Sequence, residues 1–193
     1  MSPHILTLDA AGAPHRWITA RGAALYYATD MVAWEIGQHE FVLRGGTQQA
    51  TGLQSVIRAS SIIAIKGRNH MVRQFGRVPT LTKQMLLARD RYTCAYCAQR
   101  FPPSQLDMEH IQPKSRGGAD SWMNLVTACK ACNLRKSNRT PQEASMKLHY
   151  VPYVPNRHEA FILGNRTILG DQMEFLRAGL PKTSRLHLDN VPL

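Results

Sequence analysis

Two pairs of cysteines frame the part of the chain whose residue types and spacing could support chemistry. Cys94 and Cys97 form one Cys-x-x-Cys turn, and Cys129 and Cys132 form a second one. Each turn brings two thiolates to one point, so the two turns together supply four soft ligands in a tetrahedron, which suits Zn²⁺. A site with four protein ligands has no open position for water. The zinc is therefore predicted to be structural rather than catalytic.

Disulfide bonds and a redox-active cysteine pair are the alternatives to zinc. The N-terminal sequence MSPHILTLDAAGAPHRW lacks the basic and apolar regions of a signal peptide, so we expect a cytoplasmic protein. Thiols stay reduced in that compartment. A redox motif would need only one of the two pairs. Zinc is therefore the preferred interpretation.

The segment between the two cysteine pairs is longer than a zinc knuckle requires. Thirty-one residues separate Cys97 from Cys129, whereas the common two-knuckle pattern has about 15 to 20. This insert contains LDMEHIQPKSRGG at residues 106–118. Because a zinc staple would fix the geometry of the insert, it provides the rigid support that a catalytic site needs.

The insert combines a base, a metal ligand and cations. His110 is its only histidine, and an imidazole can act as a general base at neutral pH. Glu109 offers a hard oxygen ligand, which suits Mg²⁺ or Mn²⁺ rather than a thiolate zinc site. Lys114 and Arg116 precede a Gly-Gly turn that would let the backbone approach a phosphate. A structural interpretation of His110, as a buried histidine, stays open beside the catalytic one.

Residues 91–139 resemble the HNH endonucleases of the ββα-metal fold, in the four-cysteine zinc variant found in phages and bacteria. The shared elements are the acid–histidine pair, the proline and Gly-Gly, the Asn-Leu-Val triplet, and a second knuckle that runs into Asn and Lys. The resemblance implies an α+β fold with a ββα-metal core stapled by a four-cysteine zinc site. We expect a small N-terminal α+β extension and a C-terminal helical tail around this core.

The resemblance also implies a role for each matching residue. His110 would be the general base that activates water against a DNA phosphodiester. Glu109 and Asn133 would hold the catalytic divalent ion, Mg²⁺ or Mn²⁺. Asn124 would brace the loop and orient His110, although an ordinary turn-forming role is equally compatible with the sequence. The cations expected to contact nucleic acid are Arg116, Arg135, Lys136 and Arg139.

Two positions depart from the usual family pattern. The metal-ligating acid is commonly Asp, and here it is Glu109, whose extra methylene shifts the carboxylate. Asp107, two residues earlier on the same strand, would share the face of Glu109. The last position of the motif is Asn133 rather than His, a variant that is common in the family.

Positive charge is concentrated around this motif. Residues 58–139 contain 15 Lys and Arg against four acids, a net charge of +11 that equals the net charge of the whole chain. A clustered positive field attracts polyanions. The charge therefore indicates a polyanionic partner, and the resemblance implies that this partner is DNA, which we expect to be double-stranded; no membrane is implied. One HNH site cuts one strand, so a double-strand break would need a homodimer or two successive nicks.

A non-catalytic, zinc-stabilised module that binds nucleic acid is the alternative function. Such a module needs the cations and the zinc, but it does not need the set formed by Glu109, His110 and Asn133. A zinc domain that only binds protein fits the positive charge poorly.

The surrounding sequence predicts how the chain is organised. We expect an N-terminal α+β extension (1–65), a basic connector (66–80), the HNH nuclease domain (81–150) and a C-terminal helical tail (151–193). The sequence predicts a helix after Thr19, two strands around a tight turn at Gly37-Gln38, a helix before the first knuckle, a capping box at Thr140, and one helix over residues 157–179.

Overall fold

The computed structural model describes residues 3–67, 78–165, 167–182 and 184–187. Most of the predicted basic connector therefore lies outside the described residues. The chain divides into two compact units. One contains residues 1–77 and 165–179, and the other contains residues 78–164 and 180–193. The predicted C-terminal tail is thus shared between the two units, and the α+β class expected from the sequence is confirmed.

The described residues of the first unit form a four-stranded sheet with two helices. Its strands lie in the order β2-β1-β4-β3, with β1 parallel to β4 and the other neighbours antiparallel. Ile5, Ala23, Ala59 and Ile63 form a buried cluster between the sheet and α1. The elements are β1 (Ile5–Leu8), β2 (Pro14–Ile18), α1 (Ala20–Ala28), β3 (Val32–Thr47), β4 (Gln54–Ile65) and α5 (Gly170–Ala178).

Helix α1 begins where the sequence predicts. The Thr19 hydroxyl oxygen accepts a hydrogen bond from the Gly22 backbone N–H at 3.1 Å. This bond satisfies one of the N–H groups that have no partner inside the first turn of a helix. The N-cap prediction is confirmed.

The predicted turn at Gly37-Gln38 is wrong. Strand β3 runs without a break from Val32 to Thr47, and its register against β4 shifts between Ile36 and Glu40. The extra residues form a bulge that the Asp171 carboxylate stabilises, because one of its oxygens accepts from the N–H groups of Gln38 at 2.7 Å and His39 at 3.1 Å. A glycine followed by polar residues is typical of turns and of bulges alike. The sequence alone did not show the distant carboxylate.

The single helix predicted over residues 157–179 is also wrong. The structure has two helices there, α4 (Arg157–Gly164) and α5, and they belong to different units. Helix α5 is tied to the first unit by Gln172, whose side-chain amide donates to the carbonyl oxygens of His4 at 2.7 Å and Ser61 at 2.9 Å.

The second unit contains the predicted helix, the two knuckles and a two-stranded hairpin. Strands β5 and β6 pair antiparallel from Leu106 opposite Cys129 to His110 opposite Leu125. The elements are α2 (Lys83–Arg89), β5 (Leu106–His110), β6 (Leu125–Cys129), α3 (Lys130–Lys136) and α4, with short 3₁₀ turns at Pro103–Gln105, Lys114–Arg116 and Arg185–His187. The order β5, β6, α3 is the ββα arrangement expected from the sequence.

A fully buried ion pair holds the second unit together. Arg89 and Asp90 are both 0% exposed, and the Arg89 guanidinium donates to both oxygens of Asp90. The same guanidinium donates to the carbonyl oxygens of Trp122 and Leu125, and Asp90 accepts from the Thr127 N–H. Buried charges are tolerated only where such bonds replace their hydration. The pair fixes the chain that enters β6.

No helix among the described ranges is long and apolar enough to cross a membrane.

Candidate functional site

The four cysteines converge on one point. Their Sγ atoms all lie within 4.8 Å of one another, and they are the one such group of potential metal ligands that the described residues contain. The first knuckle is held against the hairpin because the Ala95 N–H donates to the Thr127 carbonyl of β6 at 2.8 Å. The second knuckle lies at the start of α3, where Cys129 is the N-cap residue. The predicted four-cysteine centre is therefore assembled.

The donor chemistry of this centre fits a thiophilic cation. Backbone N–H groups donate to two of the sulfurs, from Tyr96 to Cys94 at 3.4 Å and from Cys132 to Cys129 at 3.5 Å. Burial would raise the pKa of Cys94, but backbone hydrogen bonds lower it below its usual value. Burial and the neighbouring cysteines raise the pKa of Cys132. Four close thiols ionise together only when a cation compensates their charge, and Zn²⁺ is a cation that these four thiolates could bind.

The loop that follows β5 is closed by Asn124. Its side-chain oxygen accepts from the Gln112 N–H at 2.9 Å, and its amide donates to the carbonyl oxygens of Gln112 at 3.1 Å and Ala119 at 3.0 Å. The Asn124 carbonyl also accepts from the Ile111 N–H at 2.8 Å. Asn124 therefore holds the chain immediately after His110.

The Gly-Gly pair has a conformational role in the same loop. Gly117 has a φ of +83°, in the left-handed region that favours glycine. A Cβ at Gly118 would lie 1.8 Å from the Gln112 carbonyl oxygen and 2.9 Å from the Asn124 amide nitrogen. The loop can close onto Asn124 only because both positions lack a side chain.

His110 lies at the end of β5 and is held by a carboxylate. Its Nε2 atom is 2.7 Å from Oδ1 of Asp120, and Oδ2 of Asp120 accepts from the Lys114 ammonium at 2.8 Å. The hydrogen bonds from Lys114 first, and then from His110, lower the pKa of Asp120 below its usual value. An ionised carboxylate can only accept, so Nε2 of His110 carries the proton and Nδ1 is the unprotonated nitrogen when the ring is neutral. The imidazole is 23% exposed, so water can reach it.

Glu109 and Lys136 form a second, buried pair. The Lys136 ammonium lies 2.5 Å from Oε1 of Glu109, and the two side chains are 1% and 11% exposed. The ammonium therefore points at Glu109 and not at solvent. The Tyr96 hydroxyl is buried and makes no hydrogen bond in the described part of the chain. Burial first, and then the negative charge of Glu109, raise the pKa of Tyr96.

The remaining predicted cations are exposed but differently engaged. The Arg116 guanidinium binds both oxygens of Glu143, at 2.8 and 2.6 Å. Arg139 donates to the carbonyl oxygens of Lys136 and Arg135 at the end of α3. Arg135 is exposed on α3 itself. Arg135 and Arg139 lie within or just after the short helix that carries Asn133, and Arg116 lies in the 3₁₀ turn before the Gly-Gly pair.

A comparison with family models identifies the family that the knuckles, the hairpin and α3 resemble. Residues 94–149 match the family model described as HNH endonuclease. This segment is an HNH domain. The match begins at the first knuckle and includes the hairpin, the Asn124 loop, the second knuckle and α3, so the family recognised in the sequence is confirmed. No curated protein shows significant similarity to the chain.

Asp120 is the residue of this site that the sequence analysis missed. It stands two positions after Gly118 and ten after His110, in a loop whose path the sequence does not specify. Asp120 is the one acid between His110 and Cys129, and this was the one available signal. The Asn124 loop folds Asp120 back onto His110, and only that closure shows the pairing.

Proposed function

We propose that the chain is a metal-dependent endonuclease that hydrolyses DNA phosphodiester bonds. The observation that carries the proposal is the His110–Asp120 hydrogen bond inside a hairpin–helix unit that matches the HNH family. A free or purely structural histidine would not need an ionised, solvent-facing carboxylate on one ring nitrogen. With Nε2 bound to Asp120, the other nitrogen is available to accept a proton from water.

The proposed reaction follows from this orientation. Nδ1 of His110 takes a proton from a water molecule, whose oxygen attacks the phosphorus atom of the scissile phosphodiester. The bond from phosphorus to the 3′ oxygen breaks, and the departing oxygen takes a proton from solvent. The products are a 5′-phosphate and a 3′-hydroxyl. Asp120 stabilises the imidazolium that forms, as carboxylates paired with catalytic histidines do.

The residues that would hold a divalent ion are Glu109 and Asn133. A carboxylate with an amide oxygen is a hard-oxygen set that suits Mg²⁺ or Mn²⁺, which are often bound by one carboxylate together with substrate phosphates. The Lys136 ammonium donates a hydrogen bond to Oε1 of Glu109. Oε2 is therefore the oxygen that would bind an ion. When bound, the ion would stabilise the negative charge that develops on the phosphate.

One observation favours the alternative of a module that binds nucleic acid without cutting it. The Glu109–Lys136 pair is complete without an ion, because the ammonium already balances the buried carboxylate. Neighbouring residues of a strand also project from opposite faces, so Glu109 and His110 leave β5 on different sides. The two functions therefore need to be separated by experiment.

Conversion of supercoiled plasmid to nicked circles separates them. Wild type, His110→Ala and the matched control His149→Ala are incubated with Mg²⁺ or Mn²⁺, and the zinc content of each protein is measured. His149 is an exposed histidine of the same unit. We expect wild type and His149→Ala to nick the plasmid, and the zinc-loaded His110→Ala protein to lose at least about 100-fold in rate, the usual worth of a general base.

Two results would contradict the nuclease. Equal nicking by wild type and His110→Ala would assign the activity to another base or to a contaminant. Salt-sensitive retention of the plasmid without nicking by any of the three proteins would identify the non-catalytic binding module.

A further inference from the structure

The hairpin formed by β3 and β4 in the first unit extends beyond the core that supports it. Ala59 and Phe41 still contact the buried cluster against α1, whereas every residue from Arg44 to Val56 is exposed. The strands are joined by the segment Gln48–Leu53, and the Gln48 N–H donates to the Leu53 carbonyl at 2.8 Å. Between Arg44 and Val56 both faces of the ribbon are exposed to solvent, so this part buries no apolar core. Its presence is therefore not explained by a contribution to folding stability.

One face of this ribbon has a defined set of side chains. Val42 lies opposite Arg58, and Arg44 lies opposite Val56. Directly opposed residues of an antiparallel pair share a face, as do residues two apart on one strand. These four side chains therefore form one exposed surface. The other face carries Phe41, Leu43, Ile57 and Ala59, which are half-buried or buried.

The side chains of the ribbon above Glu40 carry positive charge and no negative charge. Residues 41–59 of the ribbon contain two Arg and no Asp or Glu. Arg58 is paired with Glu40 at the base of the ribbon, at 2.7 Å. Arg44, nearer the tip, has no ion-pair partner among the described residues. The tip itself, residues 44–56, adds three Gln, two Thr and one Ser, which supply hydrogen-bond donors and acceptors without negative charge.

We propose that the β3–β4 ribbon is a DNA-binding element that enters the major groove of a duplex. The major groove of B-DNA admits a two-stranded β-ribbon, and arginine, glutamine and apolar side chains are the groups that read guanine, adenine and the thymine methyl there. The major groove of duplex RNA is too narrow for side chains to read. This proposal rests on the proposed function and extends it, because a ribbon that enters the major groove would select double-stranded DNA as the substrate.

The test compares a ribbon variant with a matched control in the full-length chain. Arg44→Ala removes the unpaired cation of the ribbon, and Arg21→Ala removes an exposed arginine from α1 of the same unit. Both are made in the His110→Ala background so that the DNA stays intact during the measurement. Fluorescence anisotropy then gives the dissociation constant for duplex DNA, and for duplex RNA of the same sequence, over a series of salt concentrations.

We expect Arg44→Ala to weaken DNA binding about tenfold or more, since a bidentate base contact contributes roughly that factor. Arg21→Ala should stay within about twofold of its parent, as surface charges distant from the contact act only through a screened field. Binding of duplex RNA should be weaker and insensitive to Arg44→Ala.

Three results would contradict the proposal that the ribbon binds DNA. They are equal effects of the two substitutions, equal effects of Arg44→Ala on DNA and RNA, and loss of a dimer by Arg44→Ala in light scattering without a change in DNA binding. The last result would make the ribbon an interface between two copies of the chain.

Plasmid nicking by otherwise wild-type protein is scored separately. Nicking without an Arg44 effect refutes only the ribbon, and an Arg44 effect without nicking refutes only the nuclease.

Discussion

At the scale of single residues, the site depends on one hydrogen bond that fixes the protonation of an imidazole. Asp120 binds Nε2 of His110 at 2.7 Å and binds Lys114 with its other oxygen. The carboxylate is exposed, and its hydrogen bonds to Lys114 and His110 keep its pKa low. Asp120 is a positioning residue in the proposed reaction, since it acts on the phosphodiester only through His110.

Replacement of Asp120 tests this role. We expect Asp120→Ala to lower kcat for plasmid nicking by about 10- to 100-fold with little change in KM, because the ring loses its orientation and its imidazolium loses a counter-charge. Asp120→Asn keeps an oxygen that can accept from Nε2, so part of the rate should return. The measurement is steady-state nicking, with thermal unfolding of each variant as the control.

A purely structural role for Asp120 would give another pattern. The two substitutions would then lower the melting temperature together with the rate, and Asn would offer no advantage over Ala. Loss of affinity with unchanged kcat would assign Asp120 to substrate binding.

At the scale of elements, the HNH unit is a short hairpin and a seven-residue helix joined by the two knuckles. The hairpin packs in a buried apolar cluster that includes Leu106, Val126 and Ala128, but a unit this small also needs links between its elements. Two are present. The four cysteines bring the two knuckles together, and the buried Arg89–Asp90 pair connects α2 to the chain entering β6. Both hold the hairpin, in which β5 ends at His110 and β6 begins directly after Asn124.

Removal of zinc should therefore unfold this unit selectively. We expect one zinc per chain in purified protein, and a loss of the hairpin after treatment with a chelator or after Cys132→Ser. Structural zinc sites contribute on the order of 10 kcal/mol to folding, so the unit should not remain native without the ion. Amide hydrogen exchange is the measurement, because it reports β5 and β6 separately from β1–β4.

The control for zinc removal is Ser137→Ala, at an exposed position after α3 outside the knuckles. It should keep full zinc content and full protection of the hairpin. Retention of hairpin protection in metal-free protein would show that the four cysteines are not the main support of the unit.

At the scale of the whole molecule, the C-terminal part of the chain completes both units. Helix α5 returns to the first unit, where Asp171 binds Ser61 at 2.6 Å and the backbone of the β3 bulge. The following segment returns to the second unit, where Ser184 donates to the buried Glu159 at 2.5 Å. Each unit therefore depends on residues that are distant in sequence.

Asp171 makes the stability of the first unit depend on pH. Burial opposes its ionisation, but hydrogen bonds from Ser61, His39 and Gln38 prevail and lower the pKa far below its usual value. A carboxyl group whose pKa is lower in the folded state stabilises the fold above its unfolded pKa of about 4, and this contribution is lost as the pH falls through the folded value.

We expect Asp171→Ala to destabilise the first unit by about 2 to 3 kcal/mol at neutral pH, the usual range for hydrogen bonds to a buried charge. The difference from wild type should shrink as the pH falls below about 4, because the carboxyl group of the unfolded wild-type chain then binds a proton while the folded one is still ionised. Urea unfolding at several pH values measures this. Glu174→Ala on the same helix is the control, and a pH-independent difference would show that the charge of Asp171 is not the cause.

Local spacing in the sequence was enough to predict the short motifs and the start of one helix. The Cys-x-x-Cys pairs, the acid–histidine pair and the Asn-Leu-Val triplet identified the HNH family and the four-cysteine centre, and Thr19 marked the start of α1. Short motifs are readable because ligand geometry and helix caps need particular residues at fixed separations. The reciprocal bonds of Thr140 and Glu143 also formed, but they close a single turn and not a helix.

The contacts between groups that are distant in sequence depend on the tertiary fold. It placed Asp120 on His110 and buried Lys136 against Glu109, although the sequence suggested a lysine free to contact phosphate. It also converted the expected turn at Gly37-Gln38 into a bulge held by Asp171, and it divided one predicted helix between two units. The physical reason is common to these cases. A charged or polar side chain takes the partner that restores its lost hydration, and that partner is set by how the elements pack.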